Sequence, residues 1–160
     1  MPAVYVAGPL GFSAATRLFY DTVLVPQLRE AGFEVLDPWA QGEGVTAALA
    51  IQGHDERVAA LRIANDALGR ANAGMIEAGD GVFAILDGVD VDSGTAAEIG
   101  YAAALGRPII GWRSDFRSAG DNPGAVVNLQ VQHFIERTGG SVVTTTLDDA
   151  IAALVERLAP

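Results

Sequence analysis

Five short apolar runs, each followed by a stretch of helical character, constrain the fold of this chain more than any other feature. The runs are Ala3 to Ala7, Phe33 to Leu36, Gly81 to Leu86, Pro108 to Trp112 and Ser141 to Thr145. They are short and bounded by turn residues, as buried strands are. Ser13 is placed to cap a helix reaching Ala31, with Gly32 as its C′ stop. Asp55 to Ala78 is helical in character. Asp92, Ser93 and Thr95 open a helix whose body is Ala96 to Leu105 and whose end is marked by Gly106 and Pro108. Ala125 to Thr138 reads as a further helix. Leu147 to Leu158, capped by Thr146, sets Ile151, Leu154, Val155 and Leu158 on one face. Only Trp39 to Gly53 resists assignment. It reads as a long loop with one helical turn at Val45 to Ile51, a candidate lid.

Strands alternating with helices predict one α/β domain over residues 1–160: a doubly wound, five-stranded parallel sheet covered on both faces. In such sheets ligands bind beyond the carboxyl ends of the strands. The residues to inspect are therefore Gly8 to Phe12, Asp37 to Trp39, Asp87 to Gly94, and Arg113 onward.

Half of the 160 residues are hydrophobic and 19% are charged, a balance suited to a packed core. Twenty acidic against ten basic residues give a net charge of −10. That argues against a nucleic-acid polymer or an anionic membrane as partner and leaves room for a small ligand. There is no cysteine, and His54 and His133 lie in no metal-ligand spacing, so neither a metal nor another cofactor is expected. No apolar stretch approaches membrane-spanning length and no signal segment precedes the first strand. The expected location is the cytoplasm.

The chemistry-bearing stretch is DSGTAAEIGYAAALG, Asp92 to Gly106. Glu98 is the one acidic residue inside an otherwise small and apolar helix. Its side chain should lean back toward the helix start and Asp92. Taken alone, a glutamate early in a helix is ordinarily solvated, and Asp92 alone is ordinarily an N-cap. Together they fit the two-carboxylate requirement of retaining glycosyl chemistry. The helix N-terminus would lower the pKa of Glu98 and keep it ionised. Tyr5 reads equally as a core aromatic or a site residue. The GPLG turn from Gly8 to Gly11 lacks the lysine and full glycine pattern of a phosphate loop and reads as a close-approach turn. Asp87 and Asp90 could hold Mg²⁺, but an acidic loop is more often solvated. Trp39 and Trp112 could stack on a base, with core packing the commoner use.

These blocks carry a resemblance. VYVAGPLGF at Val4 to Phe12, NAGMIEAGDGVFAILDG at Asn72 to Gly88 and DSGTAAEIGYAAALGRPI at Asp92 to Ile109 resemble the nucleoside 2-deoxyribosyltransferase family. RSDFR at Arg113 to Arg117 and VNLQV at Val127 to Val131 follow in the expected order. The resemblance implies a flavodoxin-like domain moving a 2-deoxyribosyl group between nucleobases, with deoxynucleosides and free bases as its small-molecule partners. Glu98 would attack C1′ and Tyr5 would orient it. Asp92 would bind the sugar hydroxyl side together with Asn128 from a neighbouring subunit. Leu10 and Phe12 would sandwich the base, and Gly94 would let the backbone approach the sugar. Gly8 and Asp87 would complete the substrate contacts. Shared sites imply a homo-oligomer, at least a dimer and up to a hexamer. Val126, Val127, Leu129 and Phe134 would suit its interface.

One position departs from the pattern. Some members carry a base-protonating aspartate where this chain has Asn72, and an amide is not an acid. Asp66, Asp87, Asp92 or water would have to serve. Two rival readings are a deoxynucleoside 5′-monophosphate N-glycosidase and a non-catalytic nucleotide-binding module. Asp92 would repel the phosphate of the first, and a binding module needs no buried nucleophile.

Overall fold

The computed structural model describes residues 1–159. Five strands, β1 (Ala3–Ala7), β2 (Glu34–Leu36), β3 (Gly81–Ile85), β4 (Ile109–Trp112) and β5 (Ser141–Val143), form one sheet in the order β2-β1-β3-β4-β5. Every pairing is parallel. The chain moves outward from β1 in one direction and from β3 in the other. The switch point therefore lies beyond the carboxyl ends of β1 and β3, where an open α/β sheet leaves a crevice.

Alternation along the strands divides the core in two. Val4, Val6, Phe83, Ile85, Ile110 and Trp112 face one side, where Leu24, Leu28 and Leu154 cover them. Tyr5, Ala7, Val82, Ala84 and Ile109 face the other, against Ile76, Ile99 and Ile135. Every residue of β3 is buried, as a central parallel strand requires. This register points Tyr5 away from Val4 and Val6 and toward the helix that carries Glu98.

The covering helices are α1 (Ala14–Phe19) and α2 (Val25–Glu30), α3 (Glu43–Leu49), α4 (His54–Ala78), α5 (Ser93–Ala104), α6 (Leu129–Arg137) and α7 (Leu147–Leu158). Ser13 caps α1 as expected, accepting from the Thr16 N–H. Between α1 and α2 the chain stays helical but widens to a π-turn over Tyr20–Leu24. Pro26, in the first turn of α2, cannot donate back along the helix, which accounts for the wider turn. The widening also moves the buried face: Tyr20 is buried while Leu18 is exposed. Gly106 takes φ +71° after α5, the left-handed stop its position predicted. Thr146 caps α7 in a reciprocal box with Asp149, which receives the Thr146 N–H in return.

Three expectations need correcting. The stretch from Trp39 to Gly53 is mostly helical: a 3-10 turn, Pro38–Gln41, runs into α3. Asp37 accepts from the Trp39 N–H and Pro38 sits at the first helical position, so the turn is well started. Helix α6 begins at Leu129 rather than Ala125, because Asn128 caps it, accepting from the N–H groups of Gln130 and Val131. Finally, Val127 is fully buried in its own chain's core and Phe134 packs against that core, leaving Val126 and Leu129 exposed. No helix among the described residues is long and apolar enough to cross a membrane.

Candidate active site

At the switch point a cleft of about 520 Å³ opens between the β1 turn, the Pro38–Gln41 turn, α3, α4 and the start of α5. Tyr5, wholly buried on β1, sends its hydroxyl across the sheet face to donate to Oε1 of Glu98 at 2.6 Å. Burial, and then the neighbouring Glu98 charge, push the Tyr5 hydroxyl pKa far upward. Tyr5 therefore stays a neutral donor.

Glu98 itself shifts opposite to the sequence expectation. Its pKa is raised: burial penalises the charge, the Tyr5 hydrogen bond only partly offsets that, and Asp92 adds repulsion. The helix dipole does not win because its influence fades within the first turn, and α5 begins at Ser93, more than a turn earlier. Asp92 is the N-cap of α5, its Oδ2 accepting from the Thr95 N–H at 3.0 Å and the Thr95 hydroxyl at 3.1 Å. That bracing leaves the carboxylate on the cleft wall, beside Gly94 and Thr95.

The other wall is apolar and aromatic. Phe12 stands out of the β1 turn, 76% exposed, with its ring edge-on to Trp39 at 4.7 Å. A Cβ on Gly11 would lie 2.0 Å from the Trp39 ring, so only glycine lets the indole lie across this turn. Trp39 is anchored from behind by Asp37, whose Oδ1 accepts from both the Trp39 N–H and the hydroxyl of buried Tyr20. Gly8 lines the cleft floor, and Asn72 lines the α4 side with its Oδ1 buried and without a hydrogen-bond partner.

Of the sequence candidates, Glu98, Asp92, Gly94, Gly8, Phe12 and Asn72 line this one cleft, with Tyr5 behind Glu98. Four others are elsewhere. Leu10 is 8% exposed and turned into the core, because the Gly8-Pro9 turn sends Leu10 inward and Phe12 outward. Asp87 is occupied with structure: its carboxylate accepts from the N–H groups of Ser114 and Asp115 and from the Ser114 hydroxyl. It ties the loop after β3 to the loop after β4 and is not among the cleft's lining residues. Asn128 caps α6 and is not among the lining residues of its own chain's cleft. Asp66 is exposed, ion-paired with Arg70, and does not reach the cleft. The RSDFR block is a structural lock: buried Arg113 donates to the carbonyls of Leu86, Gly88 and Arg117.

Trp39, weighed in the sequence as a possible base stacker, lines the cleft, and Thr46, Asn65 and Leu68 are lining residues that reading the sequence missed. A signal existed for one of them. Asn65 and Asn72 are seven residues apart, two turns along α4, and so share a face.

Comparison with known proteins agrees with this architecture. The model of the family described as nucleoside 2-deoxyribosyltransferase matches residues 4–130. No curated protein matches by sequence. Among solved structures, a conserved protein from Enterococcus faecalis V583 is 27% identical with a TM-score of 0.71, covering 99% of both chains. A 2-desoxiribosyltransferase from Leishmania mexicana is 25% identical, TM-score 0.61, covering 98% of both. A CMP N-glycosidase from Clostridium botulinum shares the fold at 17% identity and TM-score 0.56, over 95% of this chain and 97% of the other.

Proposed function

This chain belongs to the nucleoside 2-deoxyribosyltransferase family, and from that premise we propose that it moves a 2-deoxyribosyl group between nucleobases through a covalent intermediate on Glu98. The observation that carries the reading is the 2.6 Å hydrogen bond from buried Tyr5 to Glu98 inside the cleft. A carboxylate desolvated and held by one fixed donor keeps a free oxygen of high nucleophilicity. Its raised pKa means that the charge is weakly solvated by the protein and readily given up to a bond.

In the first step a Glu98 oxygen bonds to C1′ as the C1′–N bond breaks, its electron pair leaving on the base. In the second, the nitrogen of an incoming base attacks C1′ and Glu98 departs as carboxylate. Two inversions retain the configuration at C1′. Asp92 accepts from a sugar hydroxyl, while Phe12 and Trp39 stack on the base. Water reaching C1′ in the second step gives hydrolysis instead, so the fit of base against the Trp39 wall sets the ratio of transfer to hydrolysis. Asn128 of one subunit completes the sugar site of its neighbour in a homo-oligomer.

A 5′-monophosphate substrate is the weaker reading, since the cleft lining holds Asp92 and Glu98 and no lysine or arginine. One incubation separates the two. Purified protein is given deoxyadenosine plus free cytosine, dAMP in parallel, and adenosine as control, and products are followed by chromatography. Deoxycytidine formation that disappears in Glu98→Ala is expected. Adenine released only from dAMP would sink the transferase reading.

A further inference from the structure

The cleft contains no acid outside α5 and its cap. Its titratable lining groups are Asp92 and Glu98, both on α5 or its cap. The polar lining elsewhere is Asn65, Asn72 and Thr46, set among Trp39, Val45 and Leu68. Amides and a threonine hydroxyl do not release protons near neutrality. A second observation points to what they do instead. Oδ1 of Asn72 is buried with no partner among the described residues, so nothing holds its amide in one orientation. Such an amide can turn to present either its oxygen or its NH₂ to a ligand.

Taking the proposed glycosyl transfer as the premise, we infer that the cleft serves nucleobases that depart as anions, with the Asn72 amide donating to the base carbonyl on which the charge collects. As Glu98 bonds to C1′, the C1′–N pair stays on the ring nitrogen and spreads to a carbonyl oxygen of the base, the adjoining one in a pyrimidine and the conjugated one across the fused rings in hypoxanthine. The Asn72 N–H group meets that oxygen with a charge-assisted hydrogen bond. Water protonates the released base afterward. In the return step the incoming base gives its ring N–H proton to water before its nitrogen attacks C1′. Release then follows the acidity of the ring N–H. 5-Fluorouracil leaves ahead of uracil, uracil ahead of cytosine, and hypoxanthine ahead of adenine. A base that must be protonated in order to leave forgoes the roughly 10²–10⁴-fold that a positioned acid supplies.

The test is kcat/KM for base release from 5-fluorodeoxyuridine, deoxyuridine, deoxycytidine, deoxyinosine and deoxyadenosine, with wild type, Glu98→Ala and Asn72→Asp. The expected result is a steep series in wild type, with deoxycytidine about 10²-fold or more below 5-fluorodeoxyuridine. Asn72→Asp, which restores an acid, should narrow the series by raising deoxycytidine relative to 5-fluorodeoxyuridine. A structural role for Asn72 would lower all substrates alike, and that result overturns the inference. Similar wild-type rates for all five overturn it alone and leave the glycosyl-enzyme reading standing. No release from any deoxynucleoside, or release that survives Glu98→Ala, overturns both. The wild-type series decides the matter even where Asn72→Asp fails to fold.

Discussion

Replacing Tyr5 with phenylalanine isolates the contact on which the site depends. The ring is fully buried and its packing is kept, so the change removes little beyond the hydroxyl that donates to Glu98. That bond favours the ionised carboxylate and opposes the effect of burial. Hydrogen bonds to charged groups contribute about 1.5–3 kcal/mol. Its loss should therefore raise the Glu98 pKa further. Only ionised Glu98 attacks, so activity is lost as pH falls through this pKa. The acid limb of kcat/KM against pH, measured for base release from deoxyadenosine, should therefore move to higher pH in Tyr5→Phe, lowering the rate along that limb by about 10- to 10²-fold. The alkaline plateau should change less than the limb. An acid limb that stays in place, or moves to lower pH, refutes the assignment of Tyr5 as the group that holds Glu98 ionised.

Three further outcomes follow from the same geometry. Because the folded pKa of Glu98 lies above its unfolded value, the native state binds the proton more tightly, and stability falls as pH rises through that window. Glu98→Gln, whose amide oxygen can still accept from Tyr5, should abolish turnover yet melt higher than wild type at about pH 7.5. The gap should close near pH 4 or so; a gap that widens on acidification contradicts the sign. Gly11→Ala drives a Cβ into the Trp39 ring and should shift that wall at a cost of about 1–3 kcal/mol. Calorimetry should show a lower Tm and kinetics a raised KM for the acceptor base; an unchanged KM would separate Trp39 from base binding. On the proposed sharing of Asn128 between subunits, mixing inactive Glu98→Ala with Asn128→Ala should restore activity after subunit exchange, since a mixed assembly would hold some intact sites. Failure of rescue at any ratio argues for sites built within one subunit.

Much of this arrangement was legible because it follows from short-range rules. The strands were readable as short apolar runs bounded by turn residues, whereas the pairing of Tyr5 with Glu98 came from the family resemblance alone. Asp92 and Thr146 were readable as caps because capping is local chemistry. What the sequence hid was decided by tertiary contact. The segment from Trp39 to Gly53 has weak periodicity, and α3 is helical because it packs on α4. Asp87 looked available until the loop after β4, far along the chain, arrived to donate to it. The direction of the Glu98 shift was misread for a similar reason. Dipole strength can be judged from position in the helix, whereas desolvation depends on everything that packs around it.

The central claim is a deoxyribosyl group bonded to Glu98. It is tested most directly by trapping that species with a 2′-fluorinated arabinosyl nucleoside, whose electron-poor C1′ slows the second displacement. Intact-mass measurement should show one sugar added per chain with release of one base. Peptide mapping should place the added mass on Glu98, and Glu98→Ala should show none. Base release with no adduct, or an adduct on another residue that persists in Glu98→Ala, contradicts the account.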